Sequence, residues 1–285
     1  MNRISPNAAH LLNIGTVQAQ VNYTRRTDQK PVVYQYEKPP SGNPGGAPSI
    51  EDLVDPHQVS IANARPFAQD LSLDAQGFLL RPQVTKVTDF DDPAQRRAIY
   101  DFEIADLVIK STSARDALVF DHTIRRINHD DSSARSRAPV RVAHNDYTKK
   151  SGPQRVLDLL PKGASQAALT RRFAIVNVWR SLNGPILDTP LALADARSVA
   201  DADWIATDLK YPDRTGEVYR IAFNPGHRWF YVPQLQADEA ILIKSFDSAE
   251  DGKARFTPHT AFDDPSTLPG TAVRESIESR VLVFY

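Results

Sequence analysis

The 285-residue chain contains no cysteine, and Met1 is its only methionine. Without cysteine the chain has no disulfides, no thiolate metal site and no cysteine nucleophile. An enzyme that generates an oxidant would benefit from lacking both oxidisable side chains. Drift in codon composition explains the same absence at least as well, so this feature decides little.

Long apolar runs and charge of one sign are also absent. No apolar run reaches the roughly 18 residues of a membrane span, and the N-terminal MNRISPNAAHLLNIG lacks a signal-peptide core. The net charge is −1, from 34 Lys+Arg against 35 Asp+Glu, with no basic stripe typical of nucleic-acid binding. We therefore expect a cytoplasmic protein without a membrane or nucleic-acid partner. Its 41% hydrophobic residues are ordinary for a globular protein with a sizeable core.

Short β patterns dominate what is present. TVQAQVNYTRR and KPVVYQYE predict a strand pair, and HQVSIANAR and QGFLLRPQV predict further strands. Beyond residue 140 come PVRVAH, RRFAIVNVWR, GEVYRIAFN, HRWFYVP, EAILIKSFD, KARFTPHTAF and SRVLVFY. Helices are predicted only over DDPAQRRAIYDFEIADLVIKST and SGPQRVLDLL.

Many strands without βαβ alternation predict a mainly β fold with flanking helices around a double-stranded β-helix, a jelly-roll or cupin-like core. We expect one domain over 1–285, with N-terminal strands and a helical flank in 1–139 and the core in 140–285. The Pro/Gly-rich segment 38–50 is predicted to be a loop, either a surface excursion or a lid.

The stretch RVAHNDYT holds His144 and Asp146, which would share one face of a strand. Roughly one such His-x-acid pair is expected by accident, and a second begins at His129. The polar, Ser-rich HDDSSARSRA around His129 favours a solvated loop. For His144 three interpretations stay open: a chance pair, a local hydrogen bond, or two ligands of a metal site.

A metal site needs a third ligand, and the downstream histidines are His227 and His259. Two histidines and one carboxylate form the facial triad of non-haem Fe(II) oxygenases, which leaves positions open for co-substrate and O2. Zinc is the competing metal, although no catalytic base for a zinc hydrolase is identifiable.

The residues after His259 favour iron. Arg274 and Ser276 would lie on one strand face, with Arg280 beyond them. An arginine fork and a hydroxyl are suited to the far carboxylate of 2-oxoglutarate. Alternatively, Arg274 is a surface residue paired with Glu275 or Glu278.

Three long blocks carry a family resemblance: RFAIVNVWRSLNGPILDTPLALADARSV, TDLKYPDRTGEVYRIAFNPGHRWFYVPQLQADEAILIKSFDS and ARFTPHTAFDDPSTLPGTAVRESIESRVLVFY. They resemble the CmcJ/NvfI-type hydroxylase/desaturase family, which includes fungal AsaB-like and gibberellin-desaturase-like proteins. The resemblance is dense over 140–285 and looser before it, through GFLL and VFDHTIRR.

The resemblance implies an Fe(II)/2-oxoglutarate oxygenase that hydroxylates, desaturates or cyclises a secondary metabolite with O2 and releases succinate and CO2. It implies His144, Asp146 and His259 as metal ligands, with His227 in reserve. Arg274 with Ser276 is the expected 2-oxoglutarate anchor and Arg280 its backup.

Candidate substrate contacts are more weakly indicated, because a core or turn role explains each of these side chains as well. They are Asn177, Trp179, Arg180, Tyr147 and His227, with Lys244 as a further possible pocket group. A zinc-dependent hydrolase and a non-catalytic jelly-roll binding protein remain the rival classes. Methyl transfer is not supported, since no Gly-rich loop follows a strand. Substrate identity and oligomeric state stay open.

Overall fold

The computed structural model describes residues 15–35, 48–126 and 138–285. The described residues contain fourteen strands in two sheets. In chain order they are β1 (Val17–Thr24), β2 (Val32–Tyr34), β3 (Val54–Asn63), β4 (Phe78–Pro82), β5 (Asp116–Arg126), β6 (His144–Asn145), β7 (Phe173–Ser181), β8 (Leu191–Ala194), β9 (Trp204–Lys210), β10 (Thr215–Ile221), β11 (Trp229–Tyr231), β12 (Glu239–Asp247), β13 (His259–Ala261) and β14 (Glu275–Phe284).

Nine strands form one sheet in the order β1-β3-β11-β8-β13-β6-β10-β9-β2, and five form the other in the order β4-β12-β7-β14-β5. Strands from before and after residue 140 share both sheets. Side chains of both sheets, such as Leu193 and Val176, join one buried apolar cluster. This packing of sheet against sheet accounts for the core and confirms the prediction of a mainly β fold.

The predicted long helix ends in α1 (Asp101–Thr112), which a short turn (Pro93–Gln95) and a π-helical turn (Arg96–Tyr100) precede. Asp92 caps the start, where its Oδ1 accepts a hydrogen bond from the Ala94 amide at 2.8 Å. Ile104 and Val108 of α1 are fully buried in the core. The second predicted helix is α2 (Ser151–Leu159), and α3 (Lys162–Leu169) follows it.

The five-stranded sheet carries the polar row that matters for function. Strand β7 is buried at every position because it lies between β12 and β14. Glu278 and Arg280 of β14 lie directly opposite Trp179 and Asn177 of β7. Since opposed residues of an antiparallel pair share a face, these side chains all project to the same side of the sheet.

Several local predictions were wrong. The strands β1 and β2 do not pair with each other; β1 pairs with β3, and β2 runs parallel to β9. Alternation marks a strand but does not identify its partner, which explains the error. The strands at the two histidines, β6 and β13, are far shorter than PVRVAH and KARFTPHTAF suggest. The sequence analysis also did not predict the strands β5, β8 and β9 or the helix α3.

Two predictions fall mainly outside the described residues. They concern the loop at 38–50, of which 48–50 are described, and the polar segment around His129. Both stay predictions.

Candidate metal centre

The structure brings His144, Asp146 and His259 together. In the described part of the chain they form the one cluster of at least three potential metal ligands, with one donor atom from each lying within 4.8 Å of the others. His259 of β13 is the direct cross-strand partner of His144 of β6. Asp146 follows β6, and its Oδ1 lies 3.5 Å from Nε2 of His144. Three elements thus converge although the strands themselves are short.

Both imidazoles are oriented by the backbone. Nδ1 of His144 donates to the Val142 carbonyl at 2.9 Å, and Nδ1 of His259 donates to the Thr257 carbonyl at 3.0 Å. A carbonyl oxygen only accepts, so we assign the proton of each ring to Nδ1, which leaves the Nε2 lone pair free for a metal. Burial, and then the neighbouring His259, lower the pKa of His144 to about 4. His144 is therefore neutral, as a ligand must be, at pH 7.

The carboxylate of Asp146 is held from the opposite sheet. Its Oδ2 accepts hydrogen bonds from Asn177 Nδ2 and Arg280 Nε, both at 2.8 Å. Burial alone would raise the pKa of Asp146, but Arg280 and His144 hold it well below its usual range. The ionised carboxylate is thereby fixed with Oδ1 toward the imidazole of His144. Asn177 is a positioning residue for Asp146, a role the sequence did not assign to it.

Arg280 is fully engaged in this network. Besides Asp146 it donates to Asp121 Oδ2 at 2.7 Å, Thr123 Oγ1 at 3.0 Å and Glu278 Oε2 at 2.9 Å. These contacts leave it little capacity to anchor a co-substrate, which argues against its backup role. Glu278, which the sequence reasoning missed, also accepts from Asn177 Nδ2 at 2.9 Å. Its position two residues before Arg280 on the strand was the available signal.

Arg274 and Ser276 present unused hydrogen-bonding groups. Arg274 is 3% exposed and donates from one terminal nitrogen to the Thr189 carbonyl at 2.5 Å, while its Nε has no partner. The guanidinium lies 5.4 Å from the ring centroid of Trp179. Ser276 is 1% exposed, and its Oγ has no partner either.

No carboxylate forms an ion pair with Arg274 in the described part of the chain. Glu275 pairs with Arg126 and Glu278 pairs with Arg280, so the alternative surface pairing of Arg274 is wrong. Burial, and then the neighbouring Arg125, lower the pKa of Arg274 to about 9, although an arginine stays charged at neutral pH. A buried, unpaired cation beside an unpaired hydroxyl is costly unless a ligand satisfies both. The groups fit a carboxylate.

The donor sets together fit Fe(II) and 2-oxoglutarate. Two neutral imidazoles and one carboxylate are the ligands of a non-haem Fe(II) oxygenase and leave coordination positions free. The unpaired Arg274 and Ser276 supply the two-point contact that the far carboxylate of a dicarboxylic acid needs.

The face of the strand and the burial of each side chain decide which of the other predicted substrate contacts lie near the site. Trp179 lies beneath Arg274, whereas Arg180 projects to the other face of the sheet, 5.6 Å from the ring centroid of Phe90. Arg180 is therefore not placed to contact a substrate beside Trp179, contrary to the prediction. Tyr147 is buried in a separate apolar cluster, where burial raises its pKa to about 12.

Two further predicted groups belong to structural pairs. His227 Nε2 lies 3.1 Å from Asp203 Oδ2, and the ring stacks on Tyr23. Because His227 is enclosed there and is absent from the ligand cluster, neither its reserve role as a ligand nor a substrate contact has geometric support. The buried Lys244 forms ion pairs with the buried Asp247 at 2.9 Å and the partly exposed Asp74 at 2.6 Å, and is no pocket group.

A Ser-His-Asp arrangement occurs elsewhere, between the five-stranded sheet and α1. His122 Nδ1 lies 2.8 Å from Ser279 Oγ, and His122 Nε2 lies 2.7 Å from Asp101 Oδ1. Ser279 is completely buried, so no substrate carbonyl can reach its hydroxyl. This triad is structural and gives no support to a hydrolase.

Comparisons with known proteins agree with this geometry. A family model described as an oxidoreductase/YMDC permease-like domain matches residues 21–284. The hydroxylase/desaturase efuI of Hormonema carpetanum is 34% identical over 250 residues, which cover 80% of this chain and 83% of efuI. The Fe(II)/2-oxoglutarate-dependent dioxygenase nvfI of Aspergillus novofumigatus is 30% identical over 242 residues, which cover 80% of this chain and 84% of nvfI.

A solved structure shares the fold. A variant of the iron and alpha-ketoglutarate-dependent endoperoxidase NvfI superposes with a TM-score of 0.85 at 24% identity, covering 96% of this chain and 98% of that one. This likeness confirms the predicted jelly-roll core. No helix among the described residues is long and apolar enough to cross a membrane.

Proposed function

The chain belongs to the hydroxylase/desaturase family of Fe(II)/2-oxoglutarate-dependent oxygenases, and we propose that His144, Asp146 and His259 hold the iron. Arg274 and Ser276 hold the far carboxylate of 2-oxoglutarate. The substrate is a small secondary metabolite, which is oxidised at a C–H bond by hydroxylation, desaturation or ring closure while 2-oxoglutarate becomes succinate and CO2.

One observation carries the assignment of residues. The two-histidine, one-carboxylate cluster is joined through Asp146, Arg280 and Glu278 to the same strand face that presents Arg274 and Ser276. The cluster offers three potential metal ligands, and Arg274 carries a charge without a counter-ion. A bidentate keto acid that also carries a distant carboxylate satisfies both needs at once.

The iron, when bound with its co-substrate, supplies the oxidising chemistry. The protein's residues bind and orient. The backbone carbonyls of Val142 and Thr257 fix the two imidazole rings, as hydrogen-bonded outer partners do in other metal sites. Arg280 keeps Asp146 ionised, and the hydrogen bonds from Arg280 and Asn177 would keep its carboxylate aimed at the metal position. Burial of Arg274, whose guanidinium lies over the Trp179 ring, keeps water from competing for the anchor.

The ligand assignment is tested with a matched pair of histidine variants. His259→Ala should lose both retained Fe(II) and the succinate formed from 2-oxoglutarate without substrate, because one of three ligands is missing. His227→Phe is the control, because it keeps a buried ring on Tyr23 and should retain both properties. Iron content after anaerobic loading and chromatographic succinate assay are the measurements. Iron retained in His259→Ala and lost in His227→Phe would move the ligand role to His227.

A further inference from the structure

A second buried arginine lies at the metal centre without a counter-ion. Arg220 of β10 is 8% exposed and is the direct cross-strand partner of His144. Directly opposed residues share a face, with their Cβ atoms about 4.5–5.5 Å apart. One terminal nitrogen of Arg220 donates to the Val142 carbonyl at 3.1 Å, and its buried Nε has no partner.

Arg220 has no structural task that requires a charge. Asp146 already receives its hydrogen bonds from Asn177 and Arg280, and Arg220 makes no ion pair in the described ranges of the chain. Asp146 and Glu51 attract Arg220 only over a distance. A buried cation without an ionic partner costs stability, whereas an apolar side chain of similar size would not. The unpaired fork therefore points to an anionic ligand.

The neighbours of Arg220 describe the rest of that ligand. Directly opposed residues form one row across the nine-stranded sheet, consisting of Ile205, Arg220, His144, His259, Leu193 and Phe230. The two ligand histidines lie in the middle, with Arg220 and then Ile205 on one side, while Leu193 and Phe230 on the other side belong to the packed core. Ile205 also lines a cleft of about 700 Å³, although none of the lining residues is a metal ligand. A molecule that reaches Arg220 beside Ile205 needs an acid group for the cation and an apolar part for the isoleucine.

We propose that Arg220 binds a carboxylate of the substrate, so that this oxygenase acts on an apolar small molecule bearing an acid group. The inference rests on the proposed function. A carboxylate held across the ladder from His144 determines which C–H bond of the substrate lies nearest the metal. The other possible source of a carboxylate is the near end of 2-oxoglutarate, which would bind the metal while Arg274 would hold the far end; the test below distinguishes the two sources.

The test uses anaerobic protein loaded with Fe(II) and 2-oxoglutarate. Calorimetric titrations compare 4-phenylbutanoate with the uncharged 4-phenylbutanamide in wild type, Arg220→Met and Arg220→Lys. Wild type should prefer the acid by roughly tenfold or more, and Arg220→Met should lower acid affinity roughly 10- to 100-fold, as hydrogen bonds to a charged group predict. Arg220→Lys should fall between, and amide binding should not change. Arg180 is a buried arginine on the other face of the five-stranded sheet, so Arg180→Met is the matched control. It should keep the preference for the acid over the amide.

Each outcome bears on a separate claim. The visible charge-transfer band of the Fe(II)–keto-acid chelate is recorded first, and its absence would overturn the proposed function together with this inference. If the band forms but wild type binds the acid no better than the amide, or binds neither probe, the carboxylate role of Arg220 alone is wrong. If Arg220→Met weakens 2-oxoglutarate instead of 4-phenylbutanoate, Arg220 serves the co-substrate and the substrate role is overturned. Thermal unfolding of Arg220→Met should show equal or higher stability, since a buried unpaired charge is removed.

Discussion

Replacing Arg274 by methionine should weaken co-substrate binding without lowering the stability of the protein. The side chain is almost fully buried, makes a hydrogen bond to the Thr189 carbonyl and has no carboxylate partner. Methionine keeps most of the apolar contact with Trp179 and removes the uncompensated charge. Replacement of buried charges by apolar groups is often neutral or stabilising by about 1–4 kcal/mol. The metal-free variant should therefore unfold at the same temperature or higher.

The affinity for 2-oxoglutarate should fall steeply in the same variant. Loss of a buried, charge-assisted contact leaves the far carboxylate unpaired and costs about 2–5 kcal/mol. At about 1.4 kcal/mol per tenfold, this is roughly 30- to 3,000-fold weaker binding. Arg274→Lys should lie between, because an ammonium keeps the charge but loses the planar fork.

The assay is an anaerobic titration of the Fe(II) protein with 2-oxoglutarate, followed by the charge-transfer band, alongside thermal unfolding of each variant. Affinity unchanged in Arg274→Met would refute the anchor assignment while leaving the enzyme class intact. A variant that loses both stability and affinity would refute the reasoning in another way, because Arg274 would then be a structural residue.

Two further predictions concern residues around the site. Glu278→Gln removes an anionic acceptor from Arg280 and Asn177, so Asp146 is held less firmly. The Fe(II) affinity, measured anaerobically, should therefore fall about 10- to 100-fold. Unchanged affinity would show that the Glu278 carboxylate does not position Asp146. Burial lowers the pKa of His227 below 6.5, so His227 contributes stability that is present above pH 6.5 and lost as pH falls through its folded pKa. His227→Phe should therefore show a shallower fall in melting temperature below pH 6.5, and an identical pH profile would contradict the assigned burial effect.

The sequence alone could predict which site residues lie together when they are close neighbours in one strand. His144 and Asp146 are two residues apart, as are Arg274 and Ser276, and short-range geometry carries such pairs to one place whatever the rest of the fold does. The choice of His259 over His227 depends on cross-strand register, which the sequence alone left open. The family resemblance, and not the periodicity, ranked His259 first.

Other features required the structure. Arg180 follows Trp179 directly, so strand alternation could have excluded it from the same face. Glu278 was equally accessible from its spacing to Arg280. Arg220 was not accessible, because its position opposite His144 arises from the pairing of β10 with β6, which lie far apart in the chain. The partners of β1 and β2 were missed for the same reason.

Isotope labelling tests most directly whether His144, Asp146 and His259 support 2-oxoglutarate-dependent oxygen chemistry. Wild-type protein loaded with Fe(II) is incubated with 2-oxoglutarate under labelled dioxygen, and the succinate is analysed by mass spectrometry. We expect succinate that carries one labelled oxygen atom in wild type and none formed in Asp146→Ala, which lacks a ligand of the cluster. Absence of succinate from the iron-loaded wild type, or succinate without label, would contradict the account.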